Sequence, residues 1–420
     1  MKARLFFISM LVPAMVLCTP NNADNTNQEN NGEEQNQNQE QNQNQDPEDA
    51  LAPEIKDGDH ILATNELVET FITTVTYPER DYSYSALKRG NNGIYAGKVS
   101  PGNSDIPSTY TIRFDSNKND VYTGTLSEGD WTYTKNIGTT DEGYWEITNL
   151  LPNASYTYQV KNGETIIKSG SFTTYGHLHQ LTFKSRVRNV RDLGGWKTKD
   201  GNKVVKYRKI YRGGRLQSST LTSTGIKDAL GEGIRAQLDL RGHTSSGTQE
   251  YLDNSALDGY PDAGSKYTFR APCIEEGYTQ MLRDDKEKTR QCIDFIFNCV
   301  ANNEPVYFHC SLGRDRTGTV SLLILGILGV NEGDISKEYE ITQFAPSGYS
   351  VSEGEKTQMT RLSGVDYDGA AKFLWDYGKH GDGSYDEFQE CVRKYLNEIG
   401  IDDAAIQAFR SAMLEDAPAE

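Results

Sequence analysis

A strand, a short polar loop and a helix in direct succession constrain the fold more than any other feature of the chain. Residues 306–308 predict the strand, residues 309–317 read HCSLGRDRT, and the apolar run 320–328 predicts the helix. Amide N–H groups of such a loop converge on one point, and the helix N-terminus adds partial positive charge. We call residues 310–317 the anion loop. It belongs in an α/β fold, a sheet layered with helices.

The anion loop combines a nucleophile with a phosphate clamp. Cys310 is favoured as thiolate in this field, below the free pKa of about 8.5. Arg316 stays protonated and can bind two phosphate oxygens through its planar guanidinium group. Thr317 can support the thiolate or cap the following helix. These residues predict phosphoryl transfer through a cysteinyl-phosphate. The alternative, a buried core cysteine, leaves the neighbouring His309 and the two arginines without a purpose.

The loop resembles the signature of the cysteine-dependent protein tyrosine phosphatase superfamily, which is Cys, five residues, Arg, then Ser or Thr. With Asp315 before the arginine, it is similar to a bacterial tyrosine-phosphatase family whose loop reads Cys-x-x-Gly-Lys-Asp-Arg-Thr-Gly. Some members of that family also act on phosphoinositides. NVRDLGG at 189–195, YRGGRL at 211–216 and GIRAQLDLR at 233–241 match its other motifs. The likeness spans about residues 180–418, with Arg314 standing where the family usually has lysine.

The resemblance assigns roles to the residues of the predicted site. His309 is expected to orient the anion loop through hydrogen bonds. Arg314 either binds a second anionic group or pairs with an acidic neighbour. The residues predicted to bind phosphate or line its site are Ser311, Leu312, Gly313, Arg314, Asp239 and Arg241. No cofactor and no metal is expected.

The leaving oxygen needs a proton, so a general acid is required. Asp315 is the first candidate, since the family has an aspartate there, and its alternative role is to pair with Arg314. Asp239, which ends a predicted strand, is the second candidate. Asp192 is the third, although with Arg191 it is better suited to brace the turn at residues 193–195.

The N-terminus is typical of an exported bacterial lipoprotein. Lys2 and Arg4 precede an apolar run at 5–17 that is too short to span a bilayer. Cys18 then follows as the candidate lipidation site, and the alternative is a signal cut elsewhere. Residues 19–50 are dominated by Asn, Gln, Glu and Asp, which predicts a disordered tether. We therefore expect a lipid-anchored outer-membrane, periplasmic or cell-surface protein.

Residues 51–178, the β region, predict an all-β sandwich. Short alternating segments such as 110–114 and 156–160 are separated by turn sequences. The pattern of Leu150, Pro152, Tyr156, Tyr158 and Val160 resembles the penultimate strand and tyrosine corner of a fibronectin type III domain. A spacer or interaction module is the expected role. The junction histidines His177 and His179 are predicted to lie on a strand surface rather than to bind metal.

Residues 179–420, the α/β region, predict the catalytic domain. Strands are expected at 210–212 and 237–240, and helices at 289–301, 317–328, 384–399 and 402–415. Five cysteines beyond Cys18 at irregular spacing do not describe a disulfide framework.

The net charge of −17 argues against nucleic-acid partners and against membrane contact other than a lipid anchor. Phosphotyrosine in proteins or peptides is the expected substrate, and phosphorylated inositol compounds come second. A non-catalytic phosphate-binding surface protein is the alternative from another class. The sequence leaves the oligomeric state open.

Overall fold

In the computed structural model, the structure describes residues 51–74, 105–138, 142–184, 187–216, 220–241, 268–345 and 364–418. The predicted signal segment with Cys18 and the predicted tether at 19–50 lie outside these residues. Over the described ranges, none of the helices has the length and apolar character needed to cross a membrane. The fold is mixed α/β, as predicted, with two sheets of five strands each.

The β region contains a five-stranded sheet and a two-stranded sheet. The strand order is β1-β7-β6-β3-β4 in the first and β2-β5 in the second. Their facing side chains form one core, in which the ring of Trp145 lies over Gly124 where a Cβ atom would come within 2.6 Å of it. The strands are β1 (Asp59–Leu62), β2 (Tyr110–Arg113), β3 (Tyr122–Glu128), β4 (Trp131–Gly138), β5 (Tyr144–Ile147), β6 (Ser155–Asn162) and β7 (Thr165–Tyr175).

The segment that resembles a tyrosine corner has alternating burial. In β6 the side chains of Tyr156, Tyr158 and Val160 point into the core, while their neighbours face outward. The Tyr156 hydroxyl accepts a hydrogen bond from the Leu151 N–H at 2.8 Å. This is the contact expected of a tyrosine corner. The assignment to the fibronectin type III class stays a prediction.

The all-β prediction missed a helix, α1 (Glu66–Thr74). Asn65 starts it by accepting a hydrogen bond from the Leu67 N–H at 3.0 Å. Val68, Phe71 and Ile72 have the spacing of one helical face, and that face is buried in the core of the α/β region. The β region is therefore joined to the α/β region by a shared apolar core.

The α/β region is built on a five-stranded sheet of order β12-β11-β13-β10-β8. The central strand β13 runs parallel to both neighbours, β10 and β11. The carboxyl ends of these parallel strands meet at one edge, where ligands bind in open α/β sheets. The strands are β8 (Arg191–Asp192), β9 (Lys203–Val205), β10 (Ile210–Gly213), β11 (Ala236–Asp239), β12 (Thr268–Arg270), β13 (Val306–His309) and β14 (Leu414–Asp416).

Helices surround this sheet, and α5 after the anion loop is almost entirely buried. It ends at Gly329, whose positive φ of 83° lets glycine close the helix. The predicted last helix is shorter than expected, since Leu414 to Asp416 pair with β9 instead. The helices are α2 (Ser223–Gly231), α3 (Tyr278–Asp284), α4 (Lys286–Ala301), α5 (Asp315–Leu328), α6 (Glu332–Glu340), α7 (Gly364–Trp375), α8 (Phe388–Glu398) and α9 (Asp403–Met413).

The two junction histidines behave differently. His177 is exposed and pairs with Glu69 of α1, with 2.6 Å between Nδ1 and Oε1. His179 is fully buried, so its prediction as a surface histidine was wrong. Its Nδ1 lies 3.2 Å from Asp192 Oδ2 and its Nε2 lies 3.1 Å from the Asn149 carbonyl oxygen. Both ring nitrogens are thus satisfied inside the protein, which makes burial possible.

Candidate active site

The anion loop starts where β13 ends and turns sharply before α5. Cys310 follows the last residue of β13 directly and is 2% exposed. Gly313 has a φ of 70°, and a Cβ atom there would collide with the Gly213 carbonyl group. Only glycine fits this position without displacing the neighbouring strand end.

The first two loop carbonyls are anchored from outside the loop. The Cys310 carbonyl oxygen lies 3.2 Å from His309 Nδ1. The Ser311 carbonyl accepts from the Arg215 N–H at 3.0 Å. Both bonds hold their carbonyls away from the loop centre.

The next two carbonyls are held in the same way. Asn189 Nδ2 donates to the Leu312 carbonyl at 3.2 Å and to the Gly313 carbonyl at 3.0 Å. Arg212 also donates to the Gly313 carbonyl. Four successive carbonyls therefore point outward and are fixed there.

The inward direction of the amides follows from peptide geometry. In a planar trans peptide, the C=O of one residue points opposite to the N–H of the next. Four outward carbonyls at 310–313 therefore turn the N–H groups of 311–314 inward. Within the described parts of the chain, the N–H groups of residues 311–316 donate to no protein acceptor. Six amide donors are left for a bound anion.

A buried network of charged side chains supports the anion loop. Glu338 of α6 accepts from Arg191 Nε at 2.8 Å and from Arg212 Nη1 at 2.9 Å. Arg212 also donates to the Ser321 hydroxyl of α5 at 3.0 Å. The three charged side chains are buried to 99% or more. One carboxylate thus fixes two guanidinium groups. Arg212, held in this way, in turn fixes the Gly313 carbonyl by a hydrogen bond.

His309 is held as a neutral ring. Its Nδ1 faces the Cys310 carbonyl, which can only accept, so Nδ1 carries the proton. Its Nε2 then accepts from Gln237 Nε2 at 3.1 Å. Burial lowers the pKa of His309, with the Asp239 charge in partial opposition. The geometry fits the orienting role predicted for this residue.

The surroundings of Cys310 make its thiol easier to ionise than an ordinary thiol. Burial opposes ionisation most strongly, yet the Arg316 charge with the hydroxyl and N–H of Thr317 outweighs it and lowers the pKa of Cys310. Cys292 in α4 is also buried, and there burial raises the pKa of the thiol. The difference between these two thiols comes from the loop and not from burial.

Arg316 and Thr317 lie in the first turn of α5. Arg316 Nη1 donates to the Ile274 carbonyl at 2.9 Å, which fixes the direction of its guanidinium group. Thr317 was also considered as the helix N-cap, but the helix begins at Asp315 and Thr317 lies inside it. Among the described residues, its buried hydroxyl has no hydrogen-bond partner within normal distance and angle. The effect that we assign to this hydroxyl is therefore to lower the pKa of Cys310.

Asp315 is held by two neighbours. Arg314 Nε donates to its Oδ1 at 2.8 Å, so the predicted alternative pairing is present. The Tyr278 hydroxyl donates to the same carboxylate oxygen and lies 2.5 Å from the Tyr339 hydroxyl. Burial raises the pKa of Tyr278, so this hydroxyl stays a donor. Asp315 is also about one third exposed, which leaves it accessible to a leaving group.

The other two candidate acids, Asp239 and Asp192, are engaged in contacts within the protein. Asp239 is fully buried and forms an ion pair with Arg241, whose Nη2 lies 2.6 Å from its Oδ2. Asp192 accepts from the Gly194 N–H at 2.8 Å, which is the turn bracing predicted for it. These contacts favour structural roles for both residues.

Sequence reasoning gave no role to Asn189, Arg212 or Glu338. Asn189 and Arg212 lie within the motifs that carry the family resemblance, and this was the available signal. Glu338 lies in α6 among other acidic residues, and nothing local distinguishes it as a buried partner of two arginines.

Comparisons with known proteins agree with this geometry. The sequence model of the tyrosine phosphatase family matches residues 183–415. A putative tyrosine-protein phosphatase of Cupriavidus necator is 23% identical over 199 residues, which cover 44% of this chain and 70% of that protein. A tyrosine-protein phosphatase of Nostoc commune is 22% identical over 173 residues, covering 39% of this chain and 53% of that protein. Because the family match extends over more than half of its residues, the chain belongs to the tyrosine phosphatase family.

Proposed function

We propose that the protein is a cysteine-dependent tyrosine phosphatase that hydrolyses phosphate monoesters through a cysteinyl-phosphate. The observation that carries the proposal is that Cys310, a buried thiol with a lowered pKa, directly precedes six backbone N–H groups. Among the described residues, these N–H groups donate to no protein acceptor. A loop that served only to recognise phosphate would not need an ionised thiol at its base.

The proposed reaction has two steps. In the first, the Cys310 thiolate attacks phosphorus, the bond from phosphorus to the ester oxygen breaks, and Asp315 gives that oxygen its proton. In the second, water attacks phosphorus and gives a proton to Asp315. The sulfur–phosphorus bond then breaks, and inorganic phosphate and the thiolate are released. Arg316 and the loop amides hold the equatorial oxygens, where negative charge is stabilised.

Phosphotyrosine is the preferred substrate. The family supports it, and aromatic esters have good leaving groups. A second anion site at Arg314 would have favoured the phosphoinositide alternative, yet Arg314 is paired with Asp315. The first test is phosphate release by the purified protein from a chromogenic aryl phosphate, phosphotyrosine peptides and inositol phosphates. No release from any of them would favour the non-catalytic phosphate-binding protein.

Arg314→Ala separates the two substrate classes. Because the Arg314 side chain is already engaged by Asp315, we expect kcat/KM to fall by less than about tenfold, and equally for phosphotyrosine peptides and inositol phosphates. Steady-state kinetics on both classes is the measurement. A loss confined to inositol phosphates would instead identify Arg314 as part of a second anion site.

We also propose that Cys18 is lipidated and anchors the protein to an outer or cell-surface membrane. The support is the basic start, the short apolar run and the polar tether of the sequence. Cys18→Ser should move the protein from the membrane fraction to the soluble fraction, as followed by immunoblotting. Cys391→Ser, the same chemical change in α8, should leave it at the membrane. An unmodified mature N-terminus elsewhere, found by mass spectrometry, would contradict the anchor.

A further inference from the structure

One side chain of the β region reaches the residues that hold the anion loop. Asp105 is 4% exposed, and its carboxylate forms an ion pair with Arg188. Its Oδ2 accepts from Arg188 Nε at 3.1 Å and from the Asn189 N–H at 2.7 Å. Asp105 thus crosses from one region of the chain to the other, and a single carboxylate holds two successive residues.

Asn189 connects this contact to the anion loop. It has a φ of 62°, a left-handed conformation that asparagine tolerates better than most residues. Asp105 holds its N–H, and Arg191 donates to its side-chain oxygen. Its Nδ2 then donates to the carbonyls of Leu312 and Gly313. The direction of the amides at 313 and 314 therefore depends on how Asn189 is oriented.

Asp105 itself is fixed by its own neighbours. Asn65 Nδ2 donates to the Ile106 carbonyl at 3.2 Å, and the Ser108 hydroxyl donates to the Thr64 carbonyl at 2.7 Å. Asn65 also caps α1, whose apolar face is buried in the α/β core. The chain directly after Asp105 is therefore held to the start of α1, the helix that packs into the α/β core.

We propose that Asp105 is a positioning residue for the phosphatase reaction, and that the β region is a structural part of the active site. It acts through Asn189, which orients the loop amides around the thiolate and the phosphoryl group. The proposal rests on the proposed function for its kinetic consequence. Its effect on the thiol can be measured without turnover, so the two can fail separately.

Asp105→Ala in the full chain is the test. Loss of the carboxylate removes the acceptor of the Asn189 N–H and the ion pair with Arg188, so the amides at 313 and 314, which Asn189 orients, are held less firmly. We expect kcat on an aryl phosphate to fall on the order of tenfold and the acid limb of the pH profile to move to higher pH. Alkylation of Cys310 by iodoacetamide, followed by mass spectrometry across pH, should show the same shift toward higher pH.

Asp105→Asn supplies the conservative comparison. Its amide oxygen can still accept from the Asn189 N–H, but it no longer carries the charge that pairs with Arg188. We expect both readouts to lie between those of wild type and Asp105→Ala. This variant also keeps the proposal testable if Asp105→Ala does not fold, which thermal unfolding of each variant will show.

Glu128→Ala is the matched control. Glu128 in β3 forms an ion pair with Arg208 across the same two regions, with 2.6 Å between Oε2 and Nη1, and the described residues show no hydrogen bond between this pair and Asn189. Its kcat and alkylation profile should equal those of wild type. The proposal is overturned if Asp105→Ala keeps the wild-type alkylation profile, or if Glu128→Ala shifts that profile equally. A wild-type protein without phosphatase activity but with the expected alkylation shift would overturn the proposed function alone.

Discussion

Cys310→Ser is expected to lower kcat on aryl phosphates by about 10⁴-fold or more. A serine hydroxyl has no comparable tendency to ionise, so the loop has no thiolate to stabilise and the covalent step is lost. The loop amides and Arg316 remain, so binding of a phosphotyrosine peptide, measured by calorimetry, should survive. Thermal unfolding should change little because the new side chain is nearly the same size.

The pH dependence of kcat/KM is a second test of the Cys310 thiolate. The pKa of Cys310 lies below its usual value, so kcat/KM should rise with pH through that lowered pKa, at a lower pH than an ordinary thiol would give. Cys292→Ser makes the same change at a buried thiol outside the loop and should retain the wild-type kcat. Near wild-type turnover in Cys310→Ser would contradict the cysteinyl-phosphate mechanism.

Asp315→Asn is expected to lower kcat by about 10²- to 10³-fold for alkyl phosphates and much less for an aryl ester with a good leaving group. An amide cannot protonate the leaving oxygen, and the need for that proton grows as the leaving group becomes more basic. The alkaline limb of the pH–rate profile should also disappear. Measuring kcat over a series of leaving groups tests both statements.

Asp239→Asn is the control for Asp315→Asn. Because Asp239 is buried and paired with Arg241, its replacement should lower the melting temperature and keep the alkaline limb. If Asp315→Asn kept that limb and Asp239→Asn lost it, the general acid would be Asp239.

Tyr278→Phe removes the hydroxyl donor to Asp315 and should displace the alkaline limb without abolishing it.

The local parts of the site could be predicted because one short stretch of chain encodes them. The order of strand, loop and helix around Cys310 needs no distant residue, and the structure has that order. Gly313, which was predicted to line the phosphate site, has the positive φ that this tight loop needs. The helix α1 was also encoded locally, by Asn65 and the spacing of its apolar face, and the all-β reading of the surrounding segments hid it.

The remaining parts depend on residues that are far apart in the sequence. Glu338 lies 147 positions after Arg191 and 126 after Arg212, and only the packing of α6 against α5 brings them together. His179 was expected on a strand surface because no metal-ligand residue accompanies it locally, and its partners Asp192 and Asn149 are distant in the sequence. Asp105 lies 84 positions before Asn189, within a region whose sequence resembles a spacer.

The anchoring of the loop through its carbonyls has a consequence for the evolution of such enzymes. An anion bound in the loop would be surrounded by main-chain groups, while the residues that orient those groups, Asn189, Arg212 and Arg215, bind the outward carbonyls. The side chains of Ser311 and Leu312 are thus not required to build the phosphate site. Lineages can vary these two positions to suit different leaving groups while the catalytic geometry is inherited intact. Substitutions at the positions that bind the outward carbonyls, by contrast, would lower the activity toward every substrate.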